Sequence, residues 1–387
     1  MSDFLVGTVA DIARIEMGQS PPGASTNRQH RGVPLLNGPS EFGAANPTAV
    51  QWTDSGVRFA EEGDLLFCVR GSTTGRMNIA DRRYVVGRGL AAIQGRECSA
   101  DSRFVKYALD NSLPALLAGA TGSVFPNLAR VQIGSHAIPV PPIGERQAIV
   151  EVLGALDDKI AANTRLAETL DRLAAAEFEE ARKRADDSAL LSDLVTTQYG
   201  LTTSAHGLPG PRFLRVTDIN KKPWIEWTTT PNCTVSESAL AKYRVEPGDI
   251  LVARMADPGK AAFVDDNRPE AVFASYLVRL RAHDSLSASY IYYFLRSAQY
   301  LRYADGATQG TVQRNMNAKV IVATEIPLPK NVDIVRFAEL VAPLRMRIGA
   351  GLRENETLAA TRDALLPALM SGKLRVRDAE KVLEGVL

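Results

Sequence analysis

Two short loops carry most of the side chains that could do chemistry. The first is Gly71-Ser72-Thr73-Thr74-Gly75-Arg76, with Arg70 just before it. In the second half, Arg254 and Lys260 bracket a run that follows a matching apolar strand. Two further polar loops are spaced alike. One holds Ser123 and Asn127, the other Gln309, Thr311, Gln313, Arg314 and Asn315. Small residues let a backbone approach closely, and Arg, Lys, Gln, Asn, Ser and Thr hydrogen-bond phosphates or base edges in the major groove. A DNA interface is therefore one reading. The other is a solvated hairpin turn, and each residue taken singly reads first as ordinary surface.

Catalytic chemistry finds no such foothold. Val85-Val86-Gly87-Arg88-Gly89-Leu90-Ala91-Ala92 imitates a dinucleotide fingerprint, but an apolar residue and Gly95 follow where a helix N-terminus must hold the pyrophosphate. The Gly71–Arg76 loop lacks the GK[ST] ending and the spacing of a P-loop. His30, His136, His206 and His283 are scattered without metal-ligand spacing, so no metal is expected. No serine lies in GxSxG or SxxK. Neither an amino-methyltransferase [ND]PP[YF] box nor a PD…[DE]xK nuclease constellation is present. The expectation is a chain that is not an enzyme.

Composition narrows the class. Apolar residues make up 45% and charged residues 23% of 387, which excludes wholesale disorder. Cys68, Cys98 and Cys233 have no CxxC spacing, which excludes a Cys-based zinc site and suits a reducing cytoplasm. The N-terminus lacks the basic start of a signal peptide, and the uncharged run 111–129 is broken by proline and glycine, so a soluble protein is expected. Net charge is +1, less basic than a free-standing DNA-binding domain, so partners would have to supply part of any phosphate attraction.

The elements that position the loops come twice. EEGDLLFCVRGSTTGR at 61–76 is echoed by EPGDILVARMADPGK at 246–260, and GATGSVFPNLARVQIGSHAIPVPP at 119–142 by GATQGTVQRNMNAKVIVATEIPLP at 306–329. Collinear matches at a near-constant offset indicate a duplication. Each copy opens with an α/β or α+β globule of about 140 residues, with strands predicted after Gly63 and at 85–93 and 278–281, and helices at 102–111 and 288–300. A long helix then follows. In the first, Ile149, Leu153, Leu156, Ile160, Leu166, Leu170 and Leu173 form the stripe. In the second, Phe337, Val341, Leu344, Ile348, Leu352, Leu358, Leu365 and Leu369 do, with Pro343 expected to kink it or mark an early turn and Gly372 to stop it. Neither stripe can be buried alone. Antiparallel pairing within the chain is expected, with Ile149–Ile160 against Phe337–Ile348 or an adjacent part of that helix, giving a pseudo-twofold; pairing across a homodimer is the alternative. The boundaries read as 1–140 for the first globule, 141–187 for its helix, 188–328 for the second globule and 329–387 for the second helix and tail.

These residues resemble a known family. Residues 138–178, opening Pro141-Pro142-Ile143-Gly144-Glu145-Arg146-Gln147, and residues 354–374, closing Leu365 to Leu374 as LLPALMSGKL, are similar to the two spacer helices of the specificity subunit of type I restriction-modification systems. The GD[LI]L strands and the loops Gly122–Leu128 and Gly310–Met316 fit its two target-recognition domains, and the order covers essentially the whole chain. Asn331-Val332-Asp333 departs from the family's helix start. The resemblance implies a non-catalytic subunit that reads a bipartite double-stranded DNA site, one half per domain, with the helices setting the spacer. It implies two methylation subunits that bring S-adenosylmethionine and methylate adenine, and restriction subunits that use ATP and Mg. No cofactor would be bound by this chain. The alternatives are a modification-only methyltransferase lacking a restriction subunit, or a coiled-coil scaffold that binds no DNA.

Overall fold

The computed structural model describes residues 4–43, 45–97, 100–120, 126–266, 268–308 and 315–383. The chain divides into two compact units, residues 1–164 with 354–387, and residues 165–353. The division cuts through both long helices, Ile143–Lys183 and Asn331–Met370.

Both units use one α+β plan. A two-stranded ribbon leads into each long helix: Leu5–Thr8 pairs with Ala137–Val140, and Asp187–Leu190 with Glu325–Leu328, both antiparallel. A four-stranded antiparallel sheet follows, built on the GD[LI]L strands. In the first unit Leu65–Cys68 lies between Leu90–Gly95 and Met77–Ile79; in the second Ile250–Ala253 lies between Leu277–Ala282 and Ala261–Phe263. A second small sheet contains one parallel pair in each unit, Val33–Leu36 with Tyr84–Val86 and Arg212–Leu214 with Ala271–Phe273. Pair for pair, the duplication read in the sequence is present in three dimensions.

The GD motif is a turn lock. Gly63 and Gly248 sit at φ +87° and +86°, where a Cβ is strained. The next aspartate folds back to accept a backbone N–H three residues earlier, Glu61 N to Asp64 at 2.8 Å and Glu246 N to Asp249 at 2.7 Å. Burial raises the Asp64 carboxyl, and the Glu61 N–H works against it. The strands that follow are buried at every residue, so their apolar runs are continuous rather than alternating.

Several predicted elements are divided differently. The expected strand 85–93 is two strands, Tyr84–Val86 and Leu90–Gly95, separated at Gly87–Gly89. A Cβ at Gly89 would sit 2.5 Å from the Asn37 carbonyl oxygen, so the false fingerprint marks a close backbone approach. The expected helix 288–300 breaks at Ser297 into Ser287–Arg296 and Ala298–Thr308, and the helix at 102–111 extends over Ala100–Ala118.

Both long helices pair antiparallel with each other inside each unit. In the first unit Asp157 meets Arg362 at 2.7 Å and Asn163 meets Asn355 at 3.1 Å. In the second, Phe178 packs edge-on to Phe337 and Arg184 meets Asp333 at 3.3 Å. The pairing is intramolecular. Its register decides between the proposed partners: Ile149, Leu153, Leu156 and Ile160 pack with Leu358, Leu365, Leu366, Leu369 and Met370, an adjacent part of the second helix, while Phe337, Val341 and Leu344 pack with Ala174 and Phe178. Ile348 joins Ala167 and Trp224. Antiparallel helices bring the start of one to the end of the other, which a start-to-start match violates. Leu166 and Leu173 are also corrected: they are 38% and 45% exposed, and Ala167 and Ala174 take the inward positions one residue later. The helix runs through Pro343 to Met370, then stops where Gly372 adopts φ +68°. An unforeseen helix, Val376–Leu383, buries Val376 and Ala379 in the first core. No helix among the described residues is long and apolar enough to cross a membrane.

Candidate nucleic-acid interface

In the first unit, the loop 69–76 joins strands Leu65–Cys68 and Met77–Ile79, and it is tied to the loop ending at Asn127. Arg70 and Asn127 form a β-bridge, Leu128 N donates to the Val69 carbonyl at 3.0 Å, and Gly71 N donates to Pro126 O at 3.3 Å. The two polar loops singled out in the sequence therefore form one surface. Gly71 and Gly75, at φ +88° and +93°, make the sharp bends. The Thr74 hydroxyl lies 2.8 Å from Gly71 O and 2.9 Å from Pro126 O, so it fastens the loops instead of facing a ligand. Thr73 is half-buried with its oxygen 3.6 Å from the Cys68 sulfur. Arg70, Ser72 and Arg76 are exposed, and neither arginine has a carboxylate partner among the described residues. Asn127 is exposed beside them; Ser123 lies outside the described residues.

The second unit repeats the arrangement with different side chains. Met255 and Asn315 form the bridge, and Met316 N donates to Arg254 O at 2.8 Å. Arg254 N donates to Tyr276 O and Val69 N to Gly89 O, both at 2.9 Å. Arg254 is thus the counterpart of Val69, and Arg70 the counterpart of Met255. Ala256, at φ +65°, occupies the bend that Gly71 occupies in the first unit. Arg76 and Lys260 are true counterparts, since their carbonyls accept from Cys68 N and Ala253 N, each at 2.8 Å. Lys260 is exposed. Gln309, Thr311, Gln313 and Arg314 lie outside the described residues.

Arg254 is held, not free. Its guanidinium carbon lies 5.0 Å from the Tyr199 ring centroid, and Nη2 donates to Asn315 Oδ1 at 3.3 Å. The Tyr199 hydroxyl in turn accepts from Ala318 N at 2.8 Å. Tyr199 escaped the sequence reading because a lone tyrosine ending a strand looks like any other. Also missed was the exposed basic turn Arg28-Gln29-His30-Arg31. Asn27 Oδ1 accepts from the backbone N–H of Gln29 and Arg31, both at 3.1 Å, and His30, at φ +59°, stacks on Trp52 at 3.8 Å. Its sequence signal is the basic cluster ended by Gly32.

The remaining histidines are local fasteners: His136 bonds Ser112 at 2.8 Å, His206 bonds Thr234 at 2.8 Å, and His283 bonds the Asp193 carbonyl at 3.1 Å. Among the described residues no three His, Cys, Asp or Glu side chains are grouped to hold a metal ion. What both loop pairs offer is exposed donors on backbones pinned by hydrogen bonds. That suits phosphate and base-edge contacts.

Comparison with known proteins bears on what these loops meet. Residues 1–172 match the family described as type I restriction modification DNA specificity domain. A Methanocaldococcus jannaschii chain, named as the specificity subunit of the type I restriction enzyme MjaX, is 38% identical over 147 residues, which is 38% of this chain and 34% of that one. The match thus spans about a third of that relative's length. The HindI specificity subunit of Haemophilus influenzae is 20% identical over 81% of this chain and 87% of its own. In fold, the S subunit of a type I restriction-modification system from M. genitalium matches with a TM-score of 0.58 at 16% identity, covering 95% of this chain and 96% of that one.

Proposed function

We infer that this chain is a type I restriction-modification DNA specificity subunit and that each of its two units reads one half of a bipartite duplex site. The observation that carries the reading is the doubled pair of hydrogen-bonded loops, each presenting Arg76 or Lys260 at the same backbone position. Arg70, Ser72, Arg76 and Asn127 serve the first half-site. Lys260 and Asn315 serve the second, with Arg254 held by Tyr199 and Asn315; Gln309, Thr311, Gln313 and Arg314, outside the described residues, are assigned to it from the sequence. A bidentate arginine specifies guanine, whereas a lysine or a lone contact positions the backbone.

The chain itself performs no chemistry. Two methylation subunits dock on the long helices and bring S-adenosylmethionine, which supplies the methyl group for adenine in each half-site. Restriction subunits, where the system has them, bring ATP and Mg. The assembly works in the cytoplasm. The near-neutral charge of this chain leaves a share of the phosphate contacts to the partners.

The test is a domain exchange. Replacing residues 1–137 by the equivalent block of another specificity subunit should change one half of the methylated motif, mapped across a genome, and leave the other half intact. Alteration of both halves, or of neither, rejects independent reading. The purified chain alone should transfer no methyl group and hydrolyse no ATP.

A further inference from the structure

The second unit contains a cavity of about 290 Å³ whose lining includes Asn220, Lys221, Lys222, Gly259, Lys260 and Arg296, and no carboxylate. Two of the four cations are already committed. Arg296 makes a two-pronged contact with Asp171 at 2.6 and 2.8 Å, and Lys222 meets Glu226 at 2.5 Å. Lys221 and Lys260 are exposed and have no ion-pair partner among the described residues. An opening walled by uncompensated ammonium groups selects for an anion.

The cavity adjoins the hairpin that carries the proposed DNA contacts. Lys260 belongs to the turn that begins at Arg254, and Gly259, at φ +88°, lets this turn lie close against helix Ala298–Thr308. A Cβ there would come within 2.7 Å of the Ala304 Cβ. The lining has no aromatic ring on which a base could stack, and lysines hold an anion as flexible point charges, not as a planar fork.

The first unit provides an internal control. The stretch 37–47 holds no lysine or arginine, where the second unit has Lys221 and Lys222. Each segment follows the strand that makes the parallel pair and opens on a carboxylate that caps its first turn, Glu41 on Gly38 N at 3.1 Å and Asp218 on Arg215 N at 2.8 Å.

We propose that this cavity seats a backbone phosphate of the DNA beside the second half-site, held by Lys221 and Lys260 with Lys222 at its rim, a contact the first unit lacks. The proposal rests on the reading of the chain as a DNA specificity subunit.

The experiment measures DNA affinity of the assembled methyltransferase against salt, for wild type and for the double variant Lys221→Ala/Lys222→Ala. Each phosphate contact contributes about 0.9 to the slope of log K against log salt. The variant should lower that slope by about 1, weaken cognate and unrelated duplexes by the same factor, and leave the methylated motif unchanged. Both side chains are exposed, so folding is not at risk. An unchanged slope, with site-specific binding intact, overturns the phosphate seat while the specificity function stands. A change in the second half of the motif also overturns it, in favour of base reading. Inorganic phosphate titrated into the DNA-free complex separates the sources: saturable binding that the variant abolishes, with no change in DNA slope, assigns the cavity to a free anion. Absence of site-specific binding by the wild-type complex would instead refute the function.

Discussion

Arg76 and Lys260 occupy one backbone position in two copies, yet their chemistry differs. A guanidinium can engage two acceptors of guanine at once, and an ammonium cannot. Arg76→Ala should cost on the order of 1–3 kcal/mol on the cognate duplex and relax one position of the first half-site. Lys260→Ala should weaken all duplexes evenly. Competition binding against single-base variants of the site separates the two outcomes; an even loss for Arg76→Ala would reduce it to a phosphate contact. The residue scale was also the hardest to read from sequence. Thr74 and Arg254 had suitable types for a ligand, but the first is spent on Gly71 and Pro126 and the second rests on Tyr199. Residue type announces capacity, and only the fold shows which capacity is already used.

Among the elements, the long helices were legible because their period extends over many turns, and the GD strands because turn and apolar run recur twice. Boundaries inside the globules were not, since a single residue such as Ser297, or the turn at Gly87–Gly89, decides them. The seam shows a further limit. Leu166 and Leu173 outweigh Ala167 and Ala174 in hydrophobicity, but alternating steps of three and four from Leu156 through Ile160 lead to the alanines. Two predictions belong here. Leu156 is fully buried, so Leu156→Asp should unfold the first unit by placing an unpaired carboxylate in its core, seen as lost near-ultraviolet circular dichroism; a folded variant would refute the seam. Asp157 is the second. Burial pushes its carboxyl up, but the Lys106 charge and the Arg362 contact, with the Tyr107 hydroxyl at 2.9 Å, outweigh burial and hold it below its ordinary 3.8. Its stabilisation is complete above pH 3.8 and is lost as pH falls through the lowered value. Asp157→Asn should therefore flatten the acid side of the urea-midpoint profile, and an equally steep profile would show that this cluster contributes nothing there.

At the scale of the whole molecule, the helices are proposed to fix how far apart the half-sites lie. Lengthening both by four residues, about one turn, adds roughly 6 Å of helix. At roughly 3.4 Å per base pair, the methylated motif should keep both halves and gain at most about two spacer positions. Altered halves with an unchanged spacer would show that the distance is set elsewhere.

The first core is closed by Leu358, Leu365, Leu369, Val376 and Ala379, which follow the whole of the second unit in the chain, although its sheets begin at the first strand. The second unit is one uninterrupted stretch, residues 165–353. On the ribosome, where domains form as their residues emerge, the later-encoded unit is therefore the earlier to be complete. The first must wait with its apolar helix face open until the residues beyond 353 have been made. During that interval it is the part of the nascent chain most dependent on chaperones, and a stop soon after residue 353 would spare the second unit while leaving the first unfinished.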